Sequence, residues 1–175
     1  MLCEKIVYTE EYGGTIDLLT GFEDFPSNID YDDEFHIYRL NGKIIPSVTQ
    51  LLDDGEYKNV DKKVLDYARR KGTLVHKEIQ EYLEENKKGI TSEFYEFLRL
   101  YKKEREKFKE KAIFDYKTYA TATPKKREKC YRQIKMYAEA VKQMTGKEVE
   151  HFYMIHLPHK KQGKIYDLKE EFKNG

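Results

Sequence analysis

The stretch Ala112-Ile113-Phe114-Asp115-Tyr116-Lys117-Thr118 decides how the chain folds. It reads as a short apolar strand with an acid and a lysine near its end, one residue apart. Side chains alternate faces along a strand, so Asp115 and Lys117 point one way and Tyr116 the other. A carboxylate and an ammonium together at a strand end can hold a divalent cation and a water near a phosphate. A solvated ion pair on a strand is the plain alternative.

Thr121 to Pro124 reads as a loop, with Pro124 suited to the first turn of a helix over about 125–144. Ile134, Tyr137, Ala138 and Val141 form the core stripe of that helix, and Gly146 ends it. Gln133 and Tyr137 are one turn apart and share a surface. Two strands close the sequence, Val149 to Leu157 and about Lys164 to Leu168, around a basic turn from Pro158 to Gly163.

Upstream, Thr91 or Ser92 caps a helix predicted over about 93–110, with Phe94, Phe97, Leu98, Tyr101 and Phe108 inward. Its later half, Lys102 to Lys107, is a mixed-charge solvated face. Asp61 caps a helix over 62–71, Gly72 interrupts it, and Thr73 caps a second helix over 74–86. His76 lies at the edge of the apolar face made by Val75, Ile79, Tyr82 and Leu83. It is either a hydrogen-bonded core histidine or a ligand. Ser47 caps a short helix, Val48 to Leu52. Before it, Phe35 to Leu40, Asn41-Gly42 and Lys43 to Ile45 spell a hairpin, Asn-Gly being the strongest short turn signal.

Two apolar runs open the chain, 4–9 and 14–20, joined by Glu10-Glu11-Tyr12-Gly13 as another hairpin. Asp17 lies between Ile16 and Leu18. A carboxylate there is on a wet face, or is paired, protonated or bound to a cation. Residues 21–34 are acidic and turn-rich and read as a linker or loose loop. The expected organisation is one domain over 1–175: a hairpin unit at 1–22, a linker at 23–34 and the remaining core at 35–175.

Composition narrows the function classes. The chain has 175 residues, 37% of them charged, yet a net charge of only +1, so any basic surface must be local. No apolar run reaches the ~18 residues of a membrane span. The start, Met1-Leu2-Cys3-Glu4-Lys5, lacks a signal-peptide core. Cys3 and Cys130 are too few for a four-cysteine zinc site, and no iron–sulfur cluster is expected. The expected compartment is the cytoplasm.

Together, Gly72-Thr73-Leu74-Val75-His76, Gly14-Thr15-Ile16-Asp17, Asp115-Tyr116-Lys117-Thr118 and Gln133-Ile134-Lys135-Met136-Tyr137 resemble the RecB-like, phage-type exonuclease branch of the PD-(D/E)XK nuclease superfamily. Ser47 to Leu52 resembles the lead-in of phage-type members. The resemblance implies an α/β fold with a restriction-endonuclease-like core, a central mixed β-sheet flanked by helices, and the D-x-K strand near its middle. It implies Asp17, Asp115, His76 and the Tyr116 carbonyl as metal ligands. Asp17, Asp115 and Lys117 are then the catalytic residues, while Gln133 and Tyr137 contact substrate. Glu4 matches a less regular acidic position. Oxygen donors plus one imidazole suit Mg²⁺ or Mn²⁺. Lys117 would orient or deprotonate a water, or offset developing charge, as a phosphodiester bond breaks.

One departure matters. In the family the GTID-type strand directly precedes the D-x-K strand; here it comes first. A rearranged gene, a different sheet order, or a hairpin exchanged between subunits of a homo-oligomer would each explain it.

The implied partner is DNA, single-stranded or with free ends, and no membrane. Basic clusters at Lys62-Lys63, Arg69-Arg70-Lys71, Lys125-Lys126-Arg127 and His159-Lys160-Lys161 are the candidate contacts, or ordinary solvated ends and turns. Tyr119 and Tyr131 are candidates for stacking on unpaired bases. The expected function is a metal-dependent DNA nuclease in phage or bacterial recombination or processing. The alternatives are an inactive nuclease-fold protein that binds DNA or a partner protein, and a plain α/β interaction module.

Overall fold

A computed structural model describes residues 7–8, 29–32, 37–52, 55, 58 and 60–173. Its centre is the strand β5 (Ala112–Lys117), with β1 (Val7–Tyr8) antiparallel on one side and β6 (His151–His156) parallel on the other. The last strand, β7 (Lys164–Asp167), pairs antiparallel with β6 and completes a mixed sheet in the order β1-β5-β6-β7. The expected α/β class with a mixed sheet and an interior D-x-K strand is therefore present.

The pleat sorts the core into two layers. Ala112, Phe114 and Tyr116 join Tyr153, Ile155 and Leu157 against α2 (Lys62–Glu85) and α3 (Ser92–Lys103). Ile113 joins Phe152 and Met154 on the other face, against α4 (Pro124–Thr145) and α5 (Leu168–Glu171). The helix α4 is the crossover that parallel pairing requires. Thr123 caps it by accepting from the Lys126 amide, Pro124 fills its first turn, and Gly146 ends it at φ +70°.

Four details differ from expectation. Gly72 does not break the helix: α2 runs unbroken from Lys62 to Glu85. One glycine costs a helix about 1 kcal/mol against alanine, less than the burial of Val75 and Ile79 recovers. Thr73 is accordingly no cap, and its hydroxyl donates to the Arg69 carbonyl one turn back. Second, α3 stops at Lys103, and a 3-10 turn over Arg105–Lys109 carries Phe108 inward. That tighter turn lays Phe108 flat on Phe114, centroids 4.6 Å apart and planes 3° apart. Third, part of the expected linker is a strand, β2 (Ile29–Asp32). It pairs with β3 (Ile37–Leu40), which turns at Asn41-Gly42 into β4 (Lys43–Ile45) as a separate three-stranded sheet. Both turn residues have positive φ, as a two-residue hairpin turn demands. Fourth, the residues after Asp167 form α5 and do not extend the strand: Asp167 caps it by accepting from the Glu170 amide. The short helix at Ser47 forms as expected, α1 (Val48–Leu51), with a reciprocal Ser47–Gln50 capping box.

Two buried acids tie the helical layer together. Glu78 accepts from the Ile90 and Thr91 amides and the Thr91 hydroxyl, fixing the turn into α3. Glu93, 1% exposed, meets Lys71 Nζ at 2.5 Å and His159 Nδ1 at 2.9 Å. Burial alone would raise its pKa, but bonds from Lys71, Ser92 and His159 outweigh burial and hold it at about 2. A folded pKa below the unfolded value of 4.5 stabilises the fold above about pH 4.5. That contribution, about 3 kcal/mol, fades as pH falls toward the folded value. Glu93→Gln should therefore unfold more easily than wild type at neutral pH, with the gap closing near pH 2–3; urea titrations across that range check it.

Tyr116 raises the opposite expectation. Its hydroxyl is buried with no hydrogen-bond partner among the described residues. Tyr116→Phe should be as stable as wild type, or more stable by about 1 kcal/mol, in the same titrations.

Candidate active site

The site is built where β5 ends beneath α4. Asp115 and Lys117 share the face that α4 covers, and Lys117 Nζ lies 3.0 Å from Asp115 Oδ2. Lys117 also donates to Gln133 Oε1 at 3.1 Å, and Gln133 Nε2 donates to the Tyr137 hydroxyl at 2.9 Å. Helical spacing presents Gln133 and Tyr137 together. A relay of four side chains thus runs from the strand to the helix. Burial disfavours the Lys117 ammonium, but the Asp115 carboxylate outweighs burial and pushes the lysine pKa up.

The opposite side of β5 contributes the backbone. His76, on α2, donates from Nε2 to the Tyr116 carbonyl oxygen at 2.7 Å, and its ring stands edge-on to the Tyr116 ring, centroids 5.6 Å apart. The α2 helix passes so close to the strand end that a Cβ at Gly72 would lie 3.8 Å from the Thr118 hydroxyl. His76 is thus hydrogen-bonded, and at a carbonyl beside the Asp115–Lys117 pair.

Sequence reasoning missed Cys130. Its thiol, 2% exposed, donates to the same Asp115 Oδ2 at 3.2 Å. Burial and the neighbouring Asp115 charge push its pKa up, so the group stays a thiol. The usable signal was its position three residues before Gln133, on one helix face. His156 was missed as well. Paired in register with Lys117, it meets the Tyr119 carbonyl at 2.9 Å through Nε2. Burial lowers its pKa, helped by the charge of Lys126, and keeps the ring neutral at pH 7.

The other expected site residues scatter more widely. Asp17 and Glu4 lie outside the described residues. Lys125 is exposed on the first turn of α4. Lys126 places Nζ 4.8 Å from the Tyr119 ring centre. Arg127 is spent within the fold, paired with Glu171 at 2.7 Å and donating to the Ala122 carbonyl. Tyr131 packs on Phe172 at 5.3 Å and does not offer a free face for stacking there. Lys71 and His159 are held by Glu93.

The donor set fits a small hard cation in kind. A carboxylate, a backbone carbonyl and an imidazole lie at one strand end, beside an amine suited to a phosphate or water. Among the described residues, no three His, Cys, Asp or Glu side chains group closely enough to hold a metal ion by themselves. Asp17, the further carboxylate that the resemblance implies, lies outside the described residues. No helix among the described residues is long and apolar enough to cross a membrane. Comparison with family models, with curated proteins and with solved structures finds no match to this chain.

Proposed function

We propose that the protein is a metal-dependent DNA nuclease, exonuclease-like, with a restriction-endonuclease-like core. One observation carries this reading: Asp115, Lys117, Gln133 and Tyr137 are linked in a single relay at the strand end where His76 meets the Tyr116 carbonyl. A structural ion pair needs none of the other three residues. The β5–α4–β6 parallel unit, with an antiparallel strand on the free side of β5, supports the core assignment.

In this reading Asp115, the Tyr116 carbonyl, His76 Nε2 and Asp17 hold Mg²⁺ or Mn²⁺. The bound cation would supply an acidified water and charge neutralisation on the phosphoryl oxygens. The protein does the positioning. To ligate, His76 must carry its proton on Nδ1, giving up the Nε2 bond to the carbonyl. Gln133 fixes the Lys117 ammonium by accepting one of its protons in a hydrogen bond. Asp115 accepts a second at 3.0 Å, which leaves one proton for the attacking water or the scissile phosphate, where negative charge develops. Tyr137 keeps the Gln133 amide from rotating.

Incubating the protein with linear DNA tests the proposal. Cleavage is expected with Mn²⁺ or Mg²⁺ and none with chelator. Binding without cleavage under either cation would leave a DNA-binding module; neither binding nor cleavage would leave a plain interaction domain.

A further inference from the structure

The Asp115 carboxylate is gripped from two elements at once. Lys117 reaches it along β5, and Cys130 reaches it from α4. Both donors meet the same oxygen, Oδ2, at 3.0 and 3.2 Å. Cys130 stands three residues before Gln133, which accepts from Lys117. Each member of the ion pair is therefore held by its own residue on one face of α4.

The two grips differ in kind. An ammonium on a flexible four-carbon stem acts as a point charge with rotatable donors. It attracts a carboxylate without fixing its plane, and aspartate turns broadly about χ2. The third Lys117 proton serves the water or the phosphate, so substrate pulls on the same ammonium that holds Asp115. The Cys130 thiol has no second task. It is 2% exposed and shares its cluster with Ile113, Ile134 and Met154, so the packing of α4 sets its place. A thiol is also a weak, neutral donor that is at home among apolar side chains. It orients the carboxylate and leaves it the negative charge that a cation needs.

We infer that Cys130 is a positioning residue of the candidate site: its thiol holds Asp115 Oδ2 so that Oδ1 stays turned toward the cation while Lys117 engages substrate. This role rests on the nuclease reading and deepens it by naming what orients one of the proposed ligands. The four stretches that carry the family resemblance do not include position 130.

The test is a Mn²⁺ titration of the full chain, followed by the electron paramagnetic resonance of the free ion, with no DNA present. Cys130→Ala removes the donor, and Cys130→Ser puts a hydroxyl donor into nearly the same space. The alanine variant should bind Mn²⁺ at least about tenfold more weakly, as loss of the partner behind a metal ligand commonly does. The serine variant should recover most of that loss. Titrations are run where circular dichroism reports every protein folded. Should alanine not fold, Cys130→Val, which fills the space without a donor, takes its place. Unchanged affinity in the donorless variant, or equal weakening in both variants, would overturn the role. A wild type that binds no Mn²⁺ overturns the role and the nuclease reading together. Cleavage of linear DNA is scored separately. A protein that cuts nothing, yet shows the alanine loss and the serine recovery, keeps the role and loses the nuclease reading. A protein that cuts, with both variants binding Mn²⁺ as wild type does, keeps the reading and loses the role.

Discussion

Lys117→Ala should reduce metal-dependent DNA cleavage by about a thousandfold or more, while Mn²⁺ still binds. The side chain lies 3.0 Å from Asp115 and 3.1 Å from Gln133, fixed before any substrate arrives. Preorganised charge aimed at a developing oxyanion is commonly worth about 10²–10³ in rate, and a lysine that also positions the water adds to that. Alanine removes the charge and leaves the Gln133 carbonyl without its donor. The proposed ligands Asp115, the Tyr116 carbonyl and His76 are left in place, so cation binding is expected to persist. Activity must be compared at a temperature where circular dichroism reports both proteins folded. A variant within tenfold of wild type would remove Lys117 from the chemistry and, with it, the nuclease assignment.

The second large effect separates function from stability. The Asp115 and Lys117 side chains are 10% and 17% exposed, so each depends on the other for its charge. Lys117→Met alone strands a carboxylate and should cost roughly 3–5 kcal/mol. Asp115→Leu/Lys117→Met removes both charges into a face already formed by Ile113, Met154 and Ile134. Pairs of this kind exchanged for apolar residues are often neutral or gain about 1–4 kcal/mol. The double variant should thus recover wild-type stability or exceed it while remaining inactive. Urea unfolding with parallel cleavage assays reads both quantities. A double variant less stable than Lys117→Met would make the pair part of the framework and argue for a structural ion pair.

Much of this architecture could be read from residue order. The apolar run of 112–117 announces β5, and Pro124 with Gly146 brackets α4 to within a residue or two, though the Thr123 cap that starts it is seen only in the structure. Spacing pairs Asp115 with Lys117 on the strand and Gln133 with Tyr137 on the helix, while the meeting of the two pairs is what the family resemblance implies. What failed depended on tertiary context. Gly72 looks like a stop until the burial of Val75 and Ile79 is known. The helix to Lys103 ends where Phe108 must reach Phe114, a contact that helical periodicity does not contain. The strand at Ile29 to Asp32 hides inside an acidic run because its partner β3 supplies the hydrogen bonds that propensity alone would not. In the sequence Cys130 counts only toward a metal or cluster site, and its place beside the Asp115 carboxylate depends on the packing of α4 over β5.

The pairing of β1 with β5 joins Val7 and Tyr8 to Phe114 and Ile113, residues made much later on the ribosome. The first strand therefore emerges long before its template and must wait without a sheet to join. Closing so long a loop adds only a logarithmic entropy, so the delay is paid in time more than in stability. Docking of that strand has to await synthesis of Ile113 and Phe114, its pairing partners on β5.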